Sequence, residues 1–307
     1  MEPDDIENRA VIGIKLDTSP NDTALTWRSG LFQLGVALGF FLPPMLVRSQ
    51  GTTEEIAKDF QLMFYLVAGF TSVLFVLILL FFKAAPPTPP SAAQDFGSSI
   101  DSNFFQSIKK LLTNRNYVLL LISYGLNVGV FYAISTLLNQ VILQYYPGAN
   151  EDAGRIGLVI VVAGMAGSVM CGLVLDKTHR FKETTLAVYA ASVIGMIIFT
   201  FTLDCGIIGV VYLSGILLGF FMTGYLPVGF EFASEVTYPE PEGTTSGILN
   251  AVVQIFGIVL TLLYEYMLGA VGDRWSNLTL CAILAVGTAI TAAIKSDLRR
   301  QAAQAKG

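Results

Sequence analysis

The amino-acid sequence predicts an all-α integral membrane protein with about eight transmembrane helices. Three observations carry that expectation. Only 13% of the 307 residues are charged, against about 25% in a soluble domain. Hydrophobic residues make up 53%, and the mean hydropathy is +0.63. A helix needs ~20 mostly apolar residues to cross a bilayer, and such runs recur at roughly 29–47, 61–82, 117–142, 154–175, 185–204, 207–230, 244–268 and 276–294.

Residues 1–28 are polar and acidic. They lack a basic stretch followed by an apolar one, and they are not Arg-rich, so they read as neither a signal nor a transit peptide. Residues 29–82 hold the first two spans; the first ends at Pro43-Pro44. Residues 83–116 form the one long gap. They open as a Pro-rich, extended linker. They close as "NFFQSIKKLLTNRNY", with apolar residues at 104, 105, 108, 111 and 112. That spacing reads either as an interfacial helix lying along the membrane or as a solvated linker that starts the next span. Residues 117–294 hold the other six spans. Asn127 and Gly129 in the middle of 117–142 predict a kink or an interruption there. Residues 295–307 are a polar tail.

Lysine and arginine set the orientation. If residues 1–28 face the cytosol, 14 of the 18 basic residues fall on the cytosolic side and 4 on the other. Both termini and the long linker are then cytosolic. Residues 231–243 stand apart: they are cytosolic in this topology, yet carry Glu231, Glu235, Glu240 and Glu242 and no base. Glu231 and Glu235 lie one helical turn apart. They either pair with Lys177, Arg180 or Lys182 as a latch or are solvated.

Other classes find little support. A net charge of −5, confined to loops and tails, gives no hint of nucleic acid. Three dispersed cysteines and the single His179 offer no disulfide framework, metal cluster or cofactor site. There is no Ser/His/Asp set or phosphate loop, so an enzyme is not expected. Asp204 and Glu265 sit near span ends and read as solvated. "NDT" (21–23) falls on the cytosolic side, and "NLT" (277–279) lies too close to a span to read as a glycan site.

The fourth span ends in "GLVLDKTHRFKE", that is Gly172, Asp176, Lys177, Arg180 and Lys182 at fixed offsets. This resembles the cytosolic loop motif of the major facilitator superfamily, with His179 where a second glycine usually sits. Gly172 would let helices approach closely, Asp176 would cap or pair at a helix end, and the bases would hold the loop in the cytosol. The motif follows the second span after the long linker, as it does in that superfamily. Six spans after the linker also fit a 3+3 inverted repeat. The implied fold is a major facilitator fold lacking its first four helices.

Longer stretches go further. "SYGLNVGVFYAISTLLNQ" (123–140), "AGRIGLVIVVAGMAGSVMCGLVLD" (153–176), residues 219–258 and "AIKSDLRR" (293–300) resemble the feline leukemia virus subgroup C receptor-related family, and "QLGVALGFFLPPMLV" (33–47) resembles its fifth helix. The resemblance covers family helices five to twelve. It implies a facilitator of choline and ethanolamine working by alternating access, with haem as the competing cargo. It implies plasma-membrane residence, with a mitochondrial or endoplasmic reticulum membrane as the alternative. The four missing helices leave a second reading open, a non-transporting short form that pairs with another copy.

Polar residues within spans are the candidate substrate contacts: Gln33, Asn127, Tyr132 and Gln254. The resemblance places Gln33, Tyr132 and Gln254 at the family's central cavity. A tyrosine face suits a quaternary ammonium, which has no N–H to donate, and glutamine amides suit the hydroxyl end. The family's cage also has a tryptophan on its first helix, for which neither Trp27 nor Trp275 substitutes. On the residues alone, Asn127 and Gln254 read equally as interhelical hydrogen-bond partners and Tyr132 as a packed aromatic. Haem iron is held by His, Cys, Met or Tyr, and His179 lies in the loop rather than the pathway.

Overall fold

A computed structural model describes residues 52–81, 104–178, 180–295 and 299–300, with scattered positions between 35 and 47. Its described residues form eight helices: α1 (Thr53–Phe81), α2 (Phe104–Thr113), α3 (Arg115–Tyr145), α4 (Asn150–Thr178), α5 (Phe181–Thr202), α6 (Ile208–Thr237), α7 (Glu242–Val271) and α8 (Asp273–Ala293). All but α2 are long and apolar enough to cross a membrane. The expected span 29–47 lies for the most part outside the described residues.

Helix α1 starts on a reciprocal cap. Glu55 N donates to Thr52 Oγ1 at 3.4 Å, and Thr52 N donates to Glu55 Oε2 at 3.0 Å. None of its residues is buried. Residues 104–113 form a helix of their own, with Ser107 and Leu111 buried and Phe104, Phe105 and Leu112 exposed. Asn114 separates it from α3 and caps α3, accepting from the backbone N–H of Asn116 at 3.2 Å and of Tyr117 at 3.4 Å. Its amide also donates to the Val236 carbonyl at the end of α6, at 3.1 Å.

The other six helices pack as two interlocked triplets. Helix α4 packs along α6, and α7 along α3; α6 also meets α5, and α3 also meets α8. Exchanging α3 with α6, α4 with α7 and α5 with α8 maps this set of neighbours onto itself. That is what a 3+3 repeat requires.

Glycines set how closely these helices approach. A Cβ on Gly219 of α6 would collide with the Ile160 carbonyl of α4, and one on Gly167 of α4 with the Phe220 carbonyl of α6. The two backbones therefore touch. Gly172 does not serve this purpose, because a Cβ there would meet nothing within 4 Å. The close approach lies at least one turn earlier in α4. Helix α3 runs uninterrupted through the predicted break. Gly125 and Gly129 accept the Phe256 side chain of α7, at 2.5 Å and 3.1 Å from a Cβ placed on each.

Helix α6 extends to Thr237, past the expected end at 230, and carries Pro227 inside it. Proline has no N–H, so the carbonyl four residues earlier, on Thr223, loses its helical partner. Ser168 Oγ of α4 donates to that carbonyl at 3.2 Å, so a neighbouring helix satisfies the break. Gly272, at φ +83°, caps the end of α7 and the start of α8 in a conformation other residues rarely adopt.

The end of the bundle where α3 begins is tied by several bonds. Tyr117 OH donates to Thr245 O at 2.7 Å, and Lys295 N donates to Asn116 Oδ1 at 3.3 Å. Lys110 Nζ meets Glu240 Oε1 at 3.2 Å, and Arg300 Nη1 meets Glu242 Oε1 at 3.0 Å. Two of the acidic residues at 231–243 thus face bases from the linker helix and the C-terminal segment rather than from the motif loop. Glu235 is not solvated: it is 4% exposed. At the opposite end Asn277 is buried and accepts from Tyr264 OH at 2.6 Å, so "NLT" lies inside α8.

Candidate functional site

Helices α3 and α7 both run away from the linker end, and they meet along most of their length. Their contact is made by rings on glycines: Phe256 lies on Gly125 and Gly129, and Tyr132 lies on Gly257. A Cβ on Gly257 would be 2.7 Å from Tyr132 Cδ2, so the ring rests directly on the α7 backbone. Beside it is a cavity of about 320 Å³, lined by Tyr132, Thr136, Gln254, Gly257, Ile258, Thr261 and Leu262.

Helical geometry arranges these side chains in layers. One turn of α-helix rises about 5.4 Å. Tyr132 and Gly257 share the middle level. Gln254 lies one turn toward the linker end. Thr136 and Thr261 each lie one turn the other way, on facing helices. No Asp, Glu, Lys, Arg or His lines the cavity. Tyr132 is half-buried and Gln254 is exposed to the cavity side.

A second hollow of about 460 Å³ lies at the linker end, lined by Phe104, Gly243, Thr244, Gly247, Ile248 and Ala251. Its α7 residues and those of the first cavity form one continuous face at three- and four-residue steps: 243, 247, 251, 254, 258, 261. The two hollows are successive stretches along α7. The second has one polar side chain, Thr244, and the first has four, so the first is the better place to hold a polar solute.

The structure brings Tyr132 and Gln254 to one cavity. It does not bring Asn127 there. Asn127 is fully buried within the bundle, and neither its Nδ2 nor its Oδ1 has a partner among the described residues. Gln33 lies outside the described residues. Trp275 is 65% exposed at the start of α8, away from the cavity. In the motif loop, Lys177 and Arg180 are exposed and Lys182 is half-buried; the side chain of Asp176 lies outside what the structure describes. Sequence reasoning missed Thr136, Gly257 and Thr261. The signal was present: they continue the helical faces of Tyr132 and Gln254 at i+3, i+4 and i+7.

Six helices paired under a three-plus-three exchange, with a weakly polar cavity midway along two of them, define a multi-pass membrane protein with the architecture of a carrier half. Residues 18–261 match the Major Facilitator Superfamily, and the chain belongs to that superfamily. It is 51% identical over 274 residues to the zebrafish (Danio rerio) choline/ethanolamine transporter flvcr2b, covering 88% of this chain and 56% of that one. It is 48% identical to the human choline/ethanolamine transporter FLVCR2, covering 88% and 52%. It is 51% identical to the cat choline/ethanolamine transporter FLVCR1, covering 87% and 49%. The chain thus spans about half the length of the curated relatives it matches. Among solved structures, a variant of the E. coli fucose:proton symporter FucP superposes with a TM-score of 0.61 at 16% identity, covering 89% of this chain and 68% of that one. That likeness is one of fold.

Proposed function

We propose that this chain takes part in moving choline- and ethanolamine-like amino alcohols across a membrane by alternating access. The observation that carries the reading is the Tyr132 ring, braced on Gly257 beside Gln254, in a mid-helix cavity with no charged side chain. A cation over a tyrosine face is attracted by the ring quadrupole. A glutamine amide can meet a hydroxyl as donor or acceptor. The absence of a carboxylate in the lining keeps the hold weak enough for release.

The relatives named as choline/ethanolamine transporters point to the same solutes. The two hollows along α7 supply a route from the middle of the bundle to the linker end. We assign the linker end to the cytosol, on the excess of basic residues there. Helix α2, with Phe104, Phe105 and Leu112 turned outward, then lies in the cytosolic interface of the bilayer.

The test is uptake of labelled choline into proteoliposomes containing the chain, with Tyr132→Phe and Tyr132→Ala alongside. Phenylalanine keeps the aromatic face and should retain uptake; alanine should lose most of it. Equal effects of the two substitutions refute the cation–ring contact. Haem transport without choline uptake refutes the amino-alcohol assignment, and Tyr132 is the only lining residue of a type that ligates haem iron.

A further inference from the structure

We propose that Thr136 and Thr261 form a paired acceptor site that discriminates primary from quaternary ammonium. This rests on the amino-alcohol reading of the cavity and adds the feature that separates its two solute classes. Threonine in a membrane helix ordinarily donates its hydroxyl to a carbonyl three or four residues earlier on the same helix. Ten threonines on the helices other than α3 and α7 do so, Thr185 to Phe181 O at 2.6 Å and Thr291 to Gly287 O at 2.9 Å among them. Thr136 and Thr261 make no such bond, and no other hydrogen bond among the described residues. Both line the cavity. Since α3 and α7 run in the same direction and Tyr132 rests on Gly257, Tyr132+4 and Gly257+4 fall at one level on facing helices. The two hydroxyls therefore flank the cavity one turn beyond the aromatic face.

A primary ammonium carries three N–H donors; a quaternary one carries none. Two hydroxyl oxygens next to the ring give the primary ammonium acceptors that it must have once it leaves water. They give the quaternary ammonium nothing that its methyl groups can use. The hydroxyl end is the same in both solutes, and it falls to Gln254 on the other side of the ring. A change at the threonines that acted through the solute hydroxyl would affect both solutes alike. One that acts through N–H acceptance separates them.

The experiment is equilibrium binding of radiolabelled ethanolamine, N-methylethanolamine, N,N-dimethylethanolamine and choline to the purified chain in lipid nanodiscs. The proteins are wild type, the double variant Thr136→Val/Thr261→Val, and Thr136→Ser/Thr261→Ser. The valine pair should weaken ethanolamine about tenfold to a hundredfold, the range expected for losing hydrogen bonds to a charged group. It should leave choline within about threefold, since choline is held by the ring. The loss should shrink with each added N-methyl, and the serine pair should restore ethanolamine binding. Retained choline binding shows that the valine variant is folded. Equal losses for all four ligands, or no loss for any, overturn the acceptor pair and leave the amino-alcohol reading standing. Wild-type protein that binds none of the four overturns both.

Discussion

Gly257→Ala tests whether the Tyr132 ring is held where the cavity needs it. The added Cβ would sit 2.7 Å from Tyr132 Cδ2. Carbon atoms in good contact are about 3.5–4.0 Å apart, so the ring must retreat by about 1 Å. The cavity is the open space beside it, and the ring should tip that way, turning its face from the ammonium and narrowing the space. A cation–ring contact is worth about 1 to 2 kcal/mol when partly desolvated. Losing it should raise the Kd for choline about 5- to 30-fold. Stability should change little. Alanine adds about 1 kcal/mol of helix propensity over glycine, which offsets much of a modest packing strain.

Two further alanines calibrate this result. Gly247 also lies on α7, where an added Cβ meets nothing within 4 Å. Gly247→Ala should leave binding unchanged and raise stability slightly. Gly219 faces the Ile160 carbonyl rather than a side chain, and backbone cannot swing aside. Gly219→Ala should destabilise the bundle by about 1–3 kcal/mol or more. The measurements are choline binding in nanodiscs and thermal unfolding in the same preparation. Choline binding by Gly257→Ala within twofold of wild type would refute the bracing of the ring. So would a loss that only parallels a fall in stability like that of Gly219→Ala.

Asn114→Ala removes both the α3 cap and the tie to the Val236 carbonyl; it should cost about 1–2 kcal/mol in thermal or denaturant unfolding, and Asn114→Asp, which keeps the cap alone, should cost less. Ser168→Ala leaves the Thr223 carbonyl freed by Pro227 without its donor, with an expected loss of about 1–3 kcal/mol, and Pro227→Ala in the same chain should recover part of it. Cys205 is exposed in the turn between α5 and α6, while Cys171 and Cys281 are buried. A membrane-impermeant maleimide added to intact cells that carry the chain in their plasma membrane should therefore label Cys205 alone. Labelling only after permeabilisation would invert the proposed orientation.

The helices were legible because membrane spans are written in long apolar runs, and all six after the linker fall within a few residues of their expected limits. Helix ends were less legible. The α6 helix runs past Gly229 and Glu231 to Thr237, because Phe232, Ala233 and Val236 are still buried against neighbours, a tertiary effect that hydropathy does not see. Asn127 and Tyr132 were read together as polar groups on one span. They are five residues apart, which turns them about 140° from each other around a helix; Tyr132 reaches the cavity and Asn127 turns into the bundle. The bases that meet Glu240 and Glu242 were not legible. Lys110 and Arg300 lie 130 and 58 residues away, and only the fold brings them together.

The repeat explains why the cavity lies at the α3–α7 contact. The exchange that relates the two triplets turns the α4–α6 contact into the α7–α3 contact, so the same helix geometry occurs twice. The two copies differ in what fills them. At α4–α6, glycines face carbonyls, with Gly219 on Ile160 and Gly167 on Phe220, and the backbones come together. At α3–α7, glycines face rings, with Gly125 and Gly129 on Phe256 and Gly257 on Tyr132. A ring between two helices holds their backbones apart. Beyond the last ring, where Thr136 and Thr261 are the next side chains, nothing as large fills the gap, and the space that remains is the cavity. One copy of the contact is thus a closed seam and the other an opening with an aromatic floor. Which is which follows from whether a carbonyl or a ring faces each glycine.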